Sequence, residues 1–144
     1  MTIDQLTVFV ENGPGRLLEI TETLGKAGID LRAFSIADTA EFGIARIITS
    51  DQQRAVSLLR EAGFAVSITK VLAIGLDDEP GALVKVLRVL ADEKINIEYL
   101  YAFITRQKRQ AYVVIRVENN AAAGAALEKH GVTVVGVADI DGKS

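Results

Sequence analysis

Apolar and polar residues alternate along the first strand-length run of the chain, where Leu6, Val8 and Val10 stand two apart. That spacing lines one face of a β-strand. The run stops at Asn12-Gly13-Pro14-Gly15, and beyond it Leu17, Ile20, Leu24 and Ala27 recur every three or four residues, the stripe of an amphipathic helix. Sliding the chain by 66 positions lays this pattern on itself, and a repeat at fixed spacing sets the architecture before any single element does. Leu72, Ile74 and Leu76 take the strand positions, Pro80-Gly81 falls on Pro14-Gly15, and Leu83, Val86 and Leu90 carry the helical stripe. Lys94-Ile95-Asn96-Ile97 then falls on Gly28-Ile29-Asp30-Leu31.

Past this point the copies drift by a residue or two, as they would if a hairpin loop had changed length. FGIARIITS from Phe42 matches AYVVIRVEN from Ala111 as a further strand, both rich in β-branched residues. DQQRAVSLLREAG and NAAAGAALEKHG read as helices that stop at Gly63 and Gly131. FAVSITKV from Phe64 and VTVVGVAD from Val132 read as closing strands. The order strand, helix, strand, strand, helix, strand is the split βαβ of a ferredoxin-like α+β sandwich, a four-stranded antiparallel sheet with both helices on one face. The expectation is two such units, residues 1–70 and 71–144, docked side by side. Each has only about 70 residues, a marginal size for folding alone, and the first closing strand runs straight into Leu72 with no linker.

Composition narrows the function classes. The 144 residues are 49% hydrophobic, enough for a packed core in each unit. With no cysteine there is no disulfide framework and no thiolate metal site, which suits a reducing, cytoplasmic setting. No apolar run approaches the ~18 residues of a membrane span, and MTIDQLTVFV lacks the pattern of a signal peptide. The expected picture is a soluble chain with no membrane partner. A net charge of −3 offers no general attraction for nucleic acid.

The repeated loop has a structural role and a chemical one. Proline is favoured at the first helical position, so Pro14 and Pro80 are expected to open helices, with Asn12, Gly13 or Asp78 as caps. A strand-to-helix turn also aims backbone N–H groups outward at the positive end of a helix dipole, which suits a carboxylate or phosphate. Neither GxxxxGK[ST] nor a GxGxxG following a strand is present, so this is not a nucleotide-binding loop.

The alternating strand, the x-N/D-x-P-G-x-L turn, the amphipathic helix and the GIDL or INI that follows resemble the ACT domain family, regulatory modules attached to enzymes of amino-acid metabolism. The resemblance spans nearly the whole chain, twice, and fits best with proteins made only of tandem ACT domains. It implies a non-catalytic regulatory protein that binds a free amino acid where ACT units meet, needs no cofactor, and signals to an enzyme of amino-acid metabolism. It further implies a ligand set: Asn12, Gly13, Pro14, Gly15, Arg16 and Leu17 with Asp30 and Leu31 in the first copy, and Asp78, Gly81, Ala82 and Leu83 with Asn96 and Ile97 in the second. A zwitterion needs donors at its carboxylate and acceptors at its ammonium, and Asp30 and Asp78 are the ammonium partners this set offers. The first loop is the preferred site, because the acids of Asp-Glu-Pro-Gly would repel a carboxylate. Leu17, Leu31, Phe34 and Ile36 favour a hydrophobic or aromatic ligand.

Other features carry less. TRQKRQ, residues 105–110, is a solvated hairpin turn by its charge. Tyr99, Tyr101 and Phe103 alternate as a base-stacking sheet would require, yet the Lys/Arg-Gly-Phe signature of an RNA-binding sheet is missing, and the resemblance assigns them to an interface between ACT units. In the second copy Val84 and Leu87 widen the helix stripe, which predicts burial against the other copy or against a second chain of a homodimer. His130, the one histidine, sits at a helix end, where a cation needs no catalytic role. No Ser-His-acid set or metal cluster is apparent, so the alternative to an amino-acid sensor is a ligand-free dimerisation or docking module.

Overall fold

The computed structural model describes residues 1–11, 13–38, 42–104 and 110–140. The elements run β1 (Ile3–Glu11), α1 (Arg16–Lys26), β2 (Leu31–Asp38), β3 (Phe42–Thr49), α2 (Gln52–Glu61), β4 (Ala65–Asp77), α3 (Ala82–Asp92), β5 (Ile97–Ala102), β6 (Gln110–Val117), α4 (Asn120–Lys129), β7 (Thr133–Val135) and α5 (Val137–Ile140). Two compact units result, one of Asp4–Thr69 and one from Lys70 onward that also takes in Met1–Ile3. The division lies within β4, whose 13 residues hold both the closing strand of the first copy and the opening strand of the second. Thr69-Lys70-Val71 contains no turn former, so nothing interrupts the strand there.

In the first unit the strands lie in the order β2-β3-β1-β4. Antiparallel pairing sets Leu6 opposite Ile47, Val8 opposite Ala45 and Val10 opposite Gly43. The alternating run thereby places Leu6, Val8 and Val10 on one face, buried with Ala45 and Ile47 beneath Ile20 and Leu24 of α1 and Ala55, Val56 and Leu59 of α2. In the second unit the order is β7-β4-β6-β5, with Leu72 opposite Ile115 and Ile74 opposite Val113. Leu72, Ile74, Val113 and Ile115 bury against Val86, Val89 and Leu90 of α3 and Ala123 and Leu127 of α4. Each copy is thus the expected ferredoxin-like α+β unit.

A paired device ties each second helix to the start of its sheet. Gln52 at the head of α2 donates its Nε2 to the Asp4 carbonyl at 2.6 Å. Asn120 at the head of α4 donates its Nδ2 to the Lys70 carbonyl at 3.1 Å, and Asp4 and Lys70 are repeat-equivalent. Asp51 caps α2 by accepting from the Arg54 amide, and Asn119 caps α4 by accepting from the Ala122 amide.

Two expectations change. The prolines do not open the helices: α1 begins at Arg16 and α3 at Ala82, and the N-cap residues are Gly15 and Gly81, with φ of 82° and 87°. The Arg16 amide donates to the Gly13 carbonyl at 3.5 Å and the Ala82 amide to the Glu79 carbonyl at 3.3 Å, so Gly13–Arg16 and Glu79–Ala82 are type II turns. Such turns take proline at the second position and need positive φ at the third, where glycine stands. Neither Gly13 nor Asp78 is a cap; Asn12 lies outside the described residues. The closing strand of the second copy is short: Val132–Asp139 yields only β7 and then α5, because the Asp139 carboxylate accepts from the Gly136 amide at 2.9 Å and starts a helical turn. Within the single chain Val84 and Leu87 of α3 are 54% and 38% exposed.

Candidate functional site

The two strand-to-helix turns leave α1 and α3 without any side-chain cap, unlike α2 and α4. Backbone carbonyls take part of these first turns: the Arg16 amide donates to Gly13, the Ala82 amide to Glu79 and the Val84 amide to Gly81. What surrounds the two turns differs.

Beside the second turn is a cleft of about 390 Å³, within the range of small-molecule sites. Asp77, Glu79, Gly81, Lys85, Gln110 and Thr133 are among its lining residues. They come from the end of β4, the turn, the first turns of α3, the start of β6 and the start of β7. Gly75 also lines it, and a side-chain carbon at that position would stand in ordinary contact with Tyr112 and Val135, 3.6 Å from each. Lys85 makes no ion pair among the described residues. Its ammonium lies close to Gly131, 3.9 Å from where a side-chain carbon on that glycine would stand. The cleft therefore combines an unpaired cation and a helix N-terminus with the carboxylates of Asp77 and Glu79.

At the first turn, Arg16 stands where the second copy has Ala82, and Phe64 where it has Val132. The Arg16 guanidinium stacks on the Phe64 ring at 4.8 Å, and its Nη1 donates to Glu19 at 2.7 Å. Its Nε is buried with no partner among the described residues. The second copy has the smaller Ala82 and Val132 at these two places, and both line its cleft.

The sequence-derived site residues distribute unevenly. Gly81 and Ala82 line the cleft, together with Pro80. Asn96 lines a different recess, of about 490 Å³, with Lys94, Glu98, Glu118 and Asn119. Asp30 is held at 2.7 Å by Arg32, and its amide donates to the Ser50 hydroxyl. Asp78 also has a partner. Leu31 and Phe34 pack on the core of the first unit and Leu83 and Ile97 on that of the second, whereas Leu17 and Ile36 are exposed. Lys85, Gln110 and Thr133 were missed by sequence reasoning, although Lys85, one helical turn beyond Gly81, was within reach of it.

The remaining features fit their structural roles. Tyr101 and Phe103 are buried, which denies a stacking surface to a base. Of TRQKRQ only Gln110 is described, opening β6; Thr105–Arg109 lie outside the described residues. The His130 Nδ1 donates to the Ala126 carbonyl at 2.9 Å at the end of α4. Among the described residues no cluster of His, Cys, Asp and Glu is arranged to hold a metal, and no helix is long and apolar enough to cross a membrane.

The fold and repeat agree with known proteins. The family model for an ACT domain pair matches residues 1–138. A crystal structure of a Bacteroides thetaiotaomicron protein superposes with a TM-score of 0.88 and 41% identity, covering 97% of this chain and 96% of that one. The ligand-free regulatory subunit of aspartate kinase from Thermus thermophilus gives 0.60 and 16%, covering 88% and 91%. The regulatory subunit of aspartate kinase from Thermus flavus gives 0.58 and 17%, covering 89% and 92%; at these identities the likeness is one of fold. No protein of curated function matches the chain. With a repeat of two ferredoxin-like units and a pair model spanning nearly its whole length, the chain belongs to the ACT domain pair family.

Proposed function

We propose that this protein is a non-catalytic, cytoplasmic regulator that binds a free amino acid in the cleft beside the Pro80-Gly81 turn. It works as a homodimer and passes the occupancy of the cleft to an enzyme of amino-acid metabolism, as the regulatory subunits of aspartate kinase in the two Thermus species suggest by their fold. The observation that carries the reading is the pairing of opposite charges across the cleft. An α-carboxylate meets Lys85 and the positive end of the α3 dipole, and an α-ammonium meets Asp77 and Glu79. Glu79, one of the two acids that argued against this loop in the sequence, thereby joins Asp77 in the ammonium site, and Lys85 answers the carboxylate. Regulation through such a site calls for a coupling of only about 1–3 kcal/mol.

The test is a thermal-shift screen of protein refolded to strip carried-over ligand, against the twenty amino acids. A ligand at 100 times its dissociation constant adds about 2.7 kcal/mol, roughly 5–10 °C for a chain of this size. One amino acid or a few related ones should shift the melting temperature, and Lys85→Glu should abolish the shift. Twenty flat curves would leave the dimerisation or docking module as the better account.

A further inference from the structure

The exposed faces of α1 and α3 carry inverted charges at equivalent positions of the repeat. Glu19 and Glu22 of α1 correspond to Lys85 and Arg88 of α3, and Lys26 corresponds to Asp92. Beside these charges each helix shows an apolar or small-residue stripe at helical spacing. On α1 it is Leu18, 59% exposed, with Thr21 and Gly25; on α3 it is Val84, Leu87 and Ala91, all exposed. A groove of about 450 Å³ runs along α3, lined by Val84, Lys85, Arg88, Val89 and Asp92. Lys85, Arg88 and Asp92 make no ion pairs among the described residues.

We infer that α1 of one copy packs against α3 of a second copy of this chain, with the two helices antiparallel. The occupant follows from charge complementarity. In both helices the charges flank the same side of the stripe, and only antiparallel helices bring like-sided flanks together. Run antiparallel, Glu19 faces Arg88 and Glu22 faces Lys85, while Leu18 meets Leu87 and Ala91 and Val84 lies over Thr21 and Gly25. Large residues then oppose small ones, as ridges do grooves. Two α1 helices facing each other would oppose four carboxylates, and two α3 helices four cations, so the charges select the unlike pair. The two helices also differ in readiness: Arg16 already pairs with Glu19, and Lys26 approaches Glu22 at 3.8 Å, whereas the α3 charges await partners.

This inference rests on the homodimer in the preceding proposal and names its surface. Sedimentation of the full chain, without added amino acid, tests it with two double variants and their combination. Wild type should associate. Glu19→Lys with Glu22→Lys should weaken association by more than about tenfold, and so should Lys85→Glu with Arg88→Glu. The quadruple variant, whose net charge equals that of wild type, should regain it. Circular dichroism and melting temperature show whether each variant folds, and Leu18→Asp, which leaves every charge pair in place, should weaken association independently. A monomeric wild type would overturn the homodimer and this surface together. A wild-type dimer indifferent to both double variants, or a quadruple variant that stays dissociated, would overturn the surface alone.

Discussion

The two copies share a turn and differ in what stands behind it. Both bend through a type II turn with glycine at positive φ, and both start a helix without a side-chain cap. In the first copy Arg16 stacks on Phe64; in the second, Ala82 and Val132 leave room and Lys85 brings a cation. The turn, demanded by backbone geometry, is shared, whereas the chemistry beside it depends on side chains from other elements. A repeat can thus keep its fold in both copies and set different chemistry beside the same turn.

That comparison is broken first at the core, where the copies should respond alike. Leu24 and Leu90 are equivalent and both essentially buried. Leu24→Ala and Leu90→Ala are each expected to cost about 2–5 kcal/mol, measured by denaturant unfolding. A large cost at one position with a negligible cost at the other would deny that the units are built alike.

The shared turn gives the next effect. Gly15→Ala and Gly81→Ala force an L-residue into left-handed backbone with no steric neighbour within 4 Å of the added carbon. Each should cost roughly 1–2 kcal/mol, seen as a lower denaturation midpoint at constant slope. The smallest effect sharpens the comparison. Gln52 also accepts from the Thr49 amide and hydroxyl, at 3.0 and 2.7 Å, whereas Asn120 leaves its Oδ1 buried without a partner among the described residues and Arg116 reaches the same Lys70 carbonyl. Gln52→Ala is therefore expected to cost about 1–2 kcal/mol and Asn120→Ala about 0.5 kcal/mol; equal losses in calorimetry would contradict the asymmetry.

How much of this was legible in the sequence follows from range. The strands, helices and repeat come from local periodicity, so Leu6, Val8, Val10, Ile20 and Leu24 read correctly. Pro14 and Pro80 were misplaced by two residues because proline suits both the first helical position and the second position of a type II turn, and only the positive φ of the next glycine decides. The end of β7 was overrun because Val134, Val135 and Val137 look like strand, whereas the Asp139 carboxylate reaching back to the Gly136 amide favours a turn. Leu17 seemed core by spacing but lies at the edge of the stripe, 40% exposed. Most of the cleft was out of reach: Asp77, Gln110 and Thr133 are brought together by pairing between distant strands, and no local signal marks them, whereas Lys85 lies one helical turn beyond Gly81.

The central claim is that the second copy holds the ligand because its corner is open and carries Lys85. Calorimetric titration of the amino acid found by the screen into three proteins tests it most directly. Wild type should bind one molecule per chain. Ala82→Arg with Val132→Phe, which moves the first-copy corner into the second, should lose binding while still folding, and Arg16→Ala should leave binding intact. Binding that survives the transplant and vanishes with Arg16→Ala would place the ligand at the first turn and contradict the account.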